Sequence, residues 1–225
     1  MRILIYGSGA IGSNLGGLLT QSGEDVTLLA RGAQLEALSK NGLIIELAGK
    51  PPQTIPVNAL PANEIKGQFD IIFITLKSMQ IEAAAEDIMA RLTPDGALVM
   101  VQNGLPWWYF DGISSQHAGR TLPCLDRSGK LKKLIPLERI VGAVIYKPVI
   151  QVAPGRILIS DVVLPKLIIG EVNNVVTPRI EKIVAMVDKA GLPTLASSDI
   201  RLDKWRKLMI NLIWNPLCAI TQSAP

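Results

Sequence analysis

"RILIYGSGAIGSNLGGLLTQSG", residues 2–23, decides the fold. Its first five residues form an apolar run with the length of a buried strand. After the glycine-rich turn at residues 7–12, apolar side chains recur with a helical period until Gly23. A second short strand is predicted at residues 25–30. This succession of strand, helix and strand predicts the first unit of a parallel sheet with helices on its faces.

The same alternation continues to about residue 103. Residues 69–76 and 97–102 are nearly continuous apolar runs, typical of strands covered on both faces, and a helical pattern lies between them. We therefore predict an α/β fold with a doubly wound, mostly parallel sheet. Beyond residue 103 the pattern loosens into strand-like pieces at 139–146, 156–160 and 166–170, an amphipathic helix at 177–191, and a helical stretch from Asp199 that Pro216 is expected to kink or break.

The composition excludes several protein classes. Of 225 residues, 48% are hydrophobic and 19% are charged, which is enough apolar material for a sizeable core. No run of eighteen uncharged apolar residues occurs, and no signal-peptide pattern precedes the first strand, so we expect no membrane segment. Cys124 and Cys218 do not make a disulfide framework. A cytoplasmic location is the expectation.

The formal net charge of +4 suits an anionic small molecule and would also suit a nucleic acid. The densest basic stretch, residues 126–133, has no aromatic side chain among its charges that could stack on bases. We interpret it as a solvated turn and expect no nucleic-acid partner. His117 is the only histidine, and no carboxylates or thiols cluster near it in the sequence, so no metal site is expected.

The turn after the first strand fits the dinucleotide-binding pattern G-x-G-x-x-G. It consists of Gly7, Ser8, Gly9, Ala10, Ile11 and Gly12. In that pattern Gly7 permits the tight turn, Gly9 lets the backbone approach a pyrophosphate, and Gly12 lets the helix pack closely on the strand. The N–H groups that open the helix would bind the phosphates. The alternative is a glycine-rich turn without a ligand.

The end of the second strand indicates which nicotinamide cofactor binds. An NAD site normally has an acidic residue there for the ribose 2′-hydroxyl, but this chain has Ala30 and Arg31. A guanidinium can hold a 2′-phosphate with two hydrogen bonds, so the sequence favours NADP(H). The alternative interpretation of Arg31 is an exposed cation at the start of a helix.

Two further polar residues follow buried strands. Lys77 comes after the strand at residues 69–76, and Asn103 comes after the strand at residues 97–102. In an open parallel sheet the ligand crevice lies outside the carboxyl ends of the strands, so we place both residues at the site. The aromatic cluster at residues 107–110 could line a substrate pocket, although packing of one domain on another is the favoured interpretation.

The most unusual segment is "KWRKLMINLIWNPLCAI", residues 204–220. Lys207, Asn211 and Asn215 recur every four residues in an otherwise apolar helix, so they share one face. Burying such groups without partners is costly, so the stripe lies either in water or against a ligand. The residue pattern alone does not distinguish these two alternatives.

Together these motifs resemble the ketopantoate reductases (2-dehydropantoate 2-reductases), which are NADPH-dependent enzymes of pantothenate biosynthesis. The resemblance rests on "GSGAIG", "LLARG", "TLKSMQ", "QNG" and "KWRKLMINLIWNPLCAI", which occur in the family's order along nearly the whole chain. It implies a Rossmann domain, placed at residues 1–175, then the first part of a helical substrate and dimerisation domain at 176–225. Family members normally continue with further helices that bring a serine and a glutamate to the substrate, whereas this sequence stops at Pro225.

The resemblance also implies the reaction and the roles. It implies reduction of a 2-oxo acid, with ketopantoate the first candidate, and Lys207 as catalytic general acid. Asn103, Asn211 and Asn215 would hold the substrate, while Arg31, Lys77 and Asn103 would contact NADPH. The alternatives are a reductase of another 2-oxo acid and a non-catalytic NADPH-binding module. The sequence leaves the oligomeric state open, and a homodimer is one expectation.

Overall fold

The computed structural model describes residues 1–47, 49–160 and 164–223. Its elements, in chain order, are β1 Arg2–Tyr6, α1 Ala10–Gln21, β2 Asp25–Leu29, α2 Gly32–Asn41, β3 Leu43–Leu47, β4 Gln53–Ile55, β5 Asn58–Leu60, β6 Phe69–Ile74, α3 Ser78–Ala90, β7 Leu92–Met100, α4 Lys130–Leu134, a 3₁₀ turn Leu137–Arg139, β8 Ile140–Tyr146, β9 Val149–Ala153, β10 Arg156–Ile159, β11 Lys166–Glu171, α5 Pro178–Lys189, β12 Thr194–Ala196 and α6 Ile200–Thr221.

The main sheet has the strand order β12-β11-β8-β7-β6-β1-β2-β5. The six strands from β8 to β5 are parallel, and only β11 and β12 run the other way. This confirms the predicted α/β fold with a mostly parallel sheet. Because β1 has β2 on one side and β6 on the other, the winding reverses beside β1. That reversal opens a crevice at the carboxyl ends of the strands.

The strands of this sheet are apolar because both of its faces are covered. In β1, Ile3 and Ile5 belong to the core cluster that includes α1 and α5, whereas Leu4 and Tyr6 belong to the cluster that includes α3. Side chains alternate between the two faces along a strand, so both sets of side chains are apolar in a strand that is covered on both sides. The near-continuous apolar runs in the sequence have this cause.

A second sheet, with the order β4-β3-β10-β9, packs outside α1. Gly17 of α1 permits the approach, since an added Cβ there would lie 2.7 Å from Leu43 Cδ2. The sequence predicts β10 as a strand but not its pairing with β3, which joins Ile44 to Arg156 across about half of the chain. It does not predict β9.

The main sheet extends beyond residue 175. Strand β12 pairs with β11 at the sheet edge, and α5 packs on both strands. Helix α5 has the predicted Pro178 in its first turn, and the Thr177 hydroxyl accepts a hydrogen bond from the amide of Ile180. The domain boundary predicted after residue 175 therefore lies between β11 and β12, two strands of this one sheet. The division into two domains stays a prediction.

Helix α6 starts on the sheet and then leaves it. The Asp199 carboxylate caps it by accepting from the Leu202 amide at 3.1 Å. Ile200, Arg201 and Lys204 are buried, whereas most side chains from Trp205 onward are exposed. Pro216, expected to kink or break the helix, does not end it, because α6 continues to Thr221. Within the described ranges, no helix is both long enough and apolar enough to cross a bilayer.

Candidate active site

The glycine turn closes tightly between β1 and α1. Gly7 has φ +110°, a value that favours glycine, and its carbonyl accepts a hydrogen bond from the Thr75 hydroxyl at 2.5 Å. An added Cβ at Gly12 would lie 2.0 Å from the Gly7 carbonyl oxygen. Both glycines are therefore required by the backbone, as the sequence pattern predicts.

The outer side of the same turn is open. Gly9 is the N-cap of α1, and an added Cβ there would meet nothing within 4 Å. Ser8 is buried beneath, with its carbonyl accepting from Ser13 Oγ at 2.9 Å, while Ala10 and Ile11 open the helix half-exposed. The first turn of α1 has no acidic residue. Open space at a helix N-terminus, without a nearby carboxylate in that turn, fits a pyrophosphate.

Arg31 lies beside this turn. It follows β2 as the N-cap of α2, and its side chain is exposed. One turn later, Gln34 Nε2 donates to the Ser8 carbonyl at 2.7 Å, which joins the start of α2 to the glycine turn. A dinucleotide with its pyrophosphate over Gly9 would thus lie close to the Arg31 guanidinium, at the end of β2.

Lys77 and Asn103 are brought to one edge of the sheet. Lys77 precedes α3 and Asn103 follows β7, and both side chains are exposed. The side chain of Gln102 joins the two loops by donating to the carbonyls of Ile74 at 2.5 Å and Leu76 at 3.3 Å. The structure therefore places both predicted residues at the carboxyl ends of adjacent parallel strands.

Lys204 is a buried cation that the sequence reasoning missed. Its side chain is 3% exposed, and Nζ donates to the carbonyls of Gln102 and Ala143, each at 3.0 Å. Burial lowers the pKa of the Lys204 ammonium to about 8. The sequence contains one indication of this residue. Lys204 precedes Lys207 by three residues, so both lie on the same helix face.

Lys207 lies at the carboxyl end of β8. Its Nζ is 4.6 Å from the centroid of the Tyr146 ring, a cation–π contact, and partial burial lowers the pKa of its ammonium. Asn211 is half-buried and Asn215 is exposed. Strands β8 and β1 are three strand spacings apart, about 14 Å. By strand register, Tyr146 lies four residues beyond the level of Tyr6, so the stripe begins on the carboxyl-end side of the sheet, past the level of the glycine turn.

The aromatic cluster at residues 107–110 fastens α6 to the sheet. Trp107 and Trp108 are buried, and the guanidinium of Arg201 lies 5.5 Å from the Trp108 ring centroid while donating to the Tyr109 carbonyl. Trp205 Nε1 also donates to the Tyr109 hydroxyl at 2.7 Å. These contacts fit the packing interpretation of the cluster.

The basic turn at residues 127–133 is paired with acids. Glu82 accepts from the amides of residues 127 and 128, and Lys130 and Lys132 form ion pairs with Glu86 and Asp111 at 3.0 and 2.6 Å. Its charge is thus partly neutralised by its neighbours. In the described part of the chain, no three His, Cys, Asp or Glu side chains group in a way that could hold a metal ion.

Residues 3–174 match the family model described as "Ketopantoate reductase PanE/ApbA". A 2-dehydropantoate 2-reductase from Mesorhizobium japonicum is 36% identical over 99% of this chain and 68% of its own length. The crystal structure of a 2-dehydropantoate 2-reductase from Geobacter metallireducens is 30% identical, with a TM-score of 0.79, over 99% of this chain and 66% of that one. A D-mandelate dehydrogenase in complex with NADH and anilino(oxo)acetate is 23% identical and shares the fold, with a TM-score of 0.79, over 99% and 65% of the two chains. The chain thus spans about two-thirds of the length of these relatives.

Gly9 and Gly12 provide a matched pair of alanine variants. Gly12→Ala should lower the free energy of unfolding by about 1–3 kcal/mol, because its Cβ would collide with backbone. Gly9→Ala should leave stability unchanged but weaken NADPH binding by about tenfold or more, because its Cβ would fill the space for the pyrophosphate. Urea unfolding without cofactor and calorimetric titration with NADPH test both. Equal losses of stability in the two variants would contradict this geometry.

Lys204 should make stability depend on pH. Its folded pKa is about 8 and its ordinary value is 10.5, so between them the unfolded chain binds more protons and stability rises with pH. Relative to Lys204→Met, the wild type should gain roughly 1–2 kcal/mol from pH 8 to 9.5. Urea unfolding of both proteins across this range measures the difference. A difference that does not change with pH would mean that the buried ammonium is not perturbed.

Proposed function

The chain belongs to the ketopantoate reductase family, and we propose that it reduces 2-dehydropantoate (ketopantoate) to pantoate with NADPH. The observation that supports this most is the position of Lys207, which lies over Tyr146 at the sheet edge that also carries the glycine turn. We propose that an ammonium there faces the crevice in which a cofactor bound at the turn would present its reactive end.

The cofactor proposal rests on the glycine turn and Arg31. The backbone over Gly9 would bind the pyrophosphate, and Arg31 would bind the 2′-phosphate through two N–H groups. When bound, NADPH supplies the hydride for the ketone carbon. Lys77 and Asn103, exposed at neighbouring strand ends, would contact the cofactor's nicotinamide half.

Lys207 would act as the general acid. Negative charge builds on the ketone oxygen during reduction, and a positioned ammonium both stabilises that charge and donates a proton. Burial lowers the pKa of Lys207, which makes its ammonium a stronger acid. Lys204 is a poorer candidate, because its ammonium already donates to two main-chain carbonyls.

Asn103, Asn211 and Asn215 would orient the substrate. The amides of Asn211 and Asn215 follow Lys207 along α6 at intervals of one helical turn. Amides at that spacing can donate to the hydroxyl or carboxylate of an oxo acid lying along the helix. A cytoplasmic location and a homodimer stay predictions.

Lys207→Ala should reduce kcat by about a hundredfold or more while leaving NADPH affinity nearly unchanged, since it removes the acid but not the cofactor site. The exposed Lys182 of α5 provides the control, and Lys182→Ala should match the wild type. NADPH absorbance with ketopantoate and a panel of 2-oxo acids gives kcat. Wild-type turnover in Lys207→Ala would remove Lys207 from the mechanism, and NADPH binding without turnover of any acid by the wild type would favour a binding module.

Arg31→Ala should weaken NADPH binding by about tenfold or more and leave NADH binding unchanged, because only NADPH carries the 2′-phosphate. Lys40→Ala, in the last turn of the same helix, is the matched control that removes a cation away from the site. Calorimetric titration of each variant with both cofactors measures the affinities. Equal losses for NADPH and NADH would show that Arg31 does not recognise the phosphate.

A further inference from the structure

A second lysine lies at the Tyr146 ring. Lys166 is the first residue of β11 and pairs directly with Tyr146, the last residue of β8, in the antiparallel ladder. The Lys166 Nζ is 4.9 Å from the Tyr146 ring centroid, and the Lys207 Nζ is 4.6 Å from it. One aromatic ring at the edge of the crevice therefore holds two ammonium groups.

Within the described residues, neither ammonium is neutralised by an acid. Among the described residues, the side chains of Lys166 and Lys207 form no ion pair or hydrogen bond. The carboxylate of Asp203, one turn before Lys207, pairs instead with Arg206 at 3.0 Å and accepts from the Ser197 hydroxyl at 2.6 Å. Burial and the nearby Asp203 carboxylate raise the pKa of Tyr146, but among the described residues no carboxylate forms an ion pair with Lys166 or Lys207.

The way in which the ring holds these cations leaves their donors available. A cation–π contact positions an ammonium through the face of the ring and uses no hydrogen-bond acceptor. Each lysine has three N–H donors, so both can bind a further group. Two like charges held at one ring, neither in an ion pair with a described carboxylate, favour the binding of an anion beside them.

We propose that Lys166 binds the carboxylate of the 2-oxo acid while Lys207 faces its ketone oxygen, with Tyr146 holding both lysines. The proposal rests on the proposed reductase function and names how that site recognises its substrate class. The two nitrogens are at most about 10 Å apart, because both lie within 5 Å of one centroid. Two charge-assisted hydrogen bonds of about 2.8 Å, together with a span of roughly 3 Å from carboxylate to ketone oxygen, reach about 8–9 Å, which covers most of this range.

The test compares an acid with its neutral counterpart. Pantoate carries the carboxylate, whereas pantolactone, its lactone, does not. Calorimetric titration of the NADP⁺-loaded protein with each ligand measures binding without turnover. Lys166→Met should weaken pantoate binding by at least about tenfold and leave pantolactone and NADP⁺ binding unchanged. Lys166→Arg, which keeps the charge, should retain most of the pantoate affinity.

Two further variants test the role of the ring. Tyr146→Leu should weaken pantoate binding as Lys166→Met does, whereas Tyr146→Phe keeps the aromatic face and should bind normally. In steady-state kinetics, Lys166→Met should raise the KM for ketopantoate more than it lowers kcat, unlike Lys207→Ala. Lys182→Met, on exposed α5, controls for the loss of one positive charge. Melting curves verify that each variant is folded.

The outcomes separate the two proposals. Unchanged pantoate affinity in Lys166→Met, with a wild type that binds pantoate, overturns the role of Lys166 and leaves the reductase proposal intact. Weaker NADP⁺ binding with unchanged pantoate binding also overturns it, since Lys166 would then serve the cofactor. A wild type that binds NADP⁺ but neither binds pantoate nor reduces any 2-oxo acid contradicts the proposed function, and the role of Lys166 falls with it.

Discussion

The two hydrogen bonds of the buried Lys204 ammonium hold the site together. They join α6 to the loop that follows β7, through the carbonyl of Gln102, and to the middle of β8, through the carbonyl of Ala143. A buried ammonium is stable only if its donors are used, so the start of α6 cannot move away from β7 and β8 without a large cost in free energy. Lys207 follows by less than one helical turn and is therefore positioned by the same bonds. The Arg201 and Trp205 contacts with Tyr109 add to this anchoring.

The edge at which Lys204 acts carries the predicted site residues other than Asn211 and Asn215, which lie further along α6. The glycine turn follows β1, Arg31 follows β2, Lys77 follows β6, Asn103 follows β7, and Lys207 lies over the last residue of β8. Parallel strands all end at the same edge, so residues far apart in sequence meet there without any long-range side-chain pairing. The fold itself thus brings these residues to one edge, where α6 would contribute the proposed acid.

Local sequence predicts this architecture well wherever one short segment determines its own structure. The Gly7–Gly12 closure is such a case, because the collision that excludes a side chain at Gly12 lies within six residues. The second sheet was not predictable, since the partner of Ile44 is Arg156 and no local pattern encodes that pairing. The role of Lys204 was also hidden, because spacing gives its helix face but not the two carbonyls that meet it. Whether the polar stripe faces a ligand or water depends on tertiary structure in the same way.

The central claim is that Lys207 meets the reacting oxygen of a substrate held at the carboxyl-end edge of the sheet. A crystal structure of the protein with NADP⁺ and pantoate tests this most directly. We predict the pyrophosphate over Gly9 and the Lys207 Nζ within about 3 Å of the C2 hydroxyl oxygen of pantoate. Pantoate bound at the opposite edge of the sheet, or a Lys207 side chain directed into solvent with the ligand in place, would contradict it.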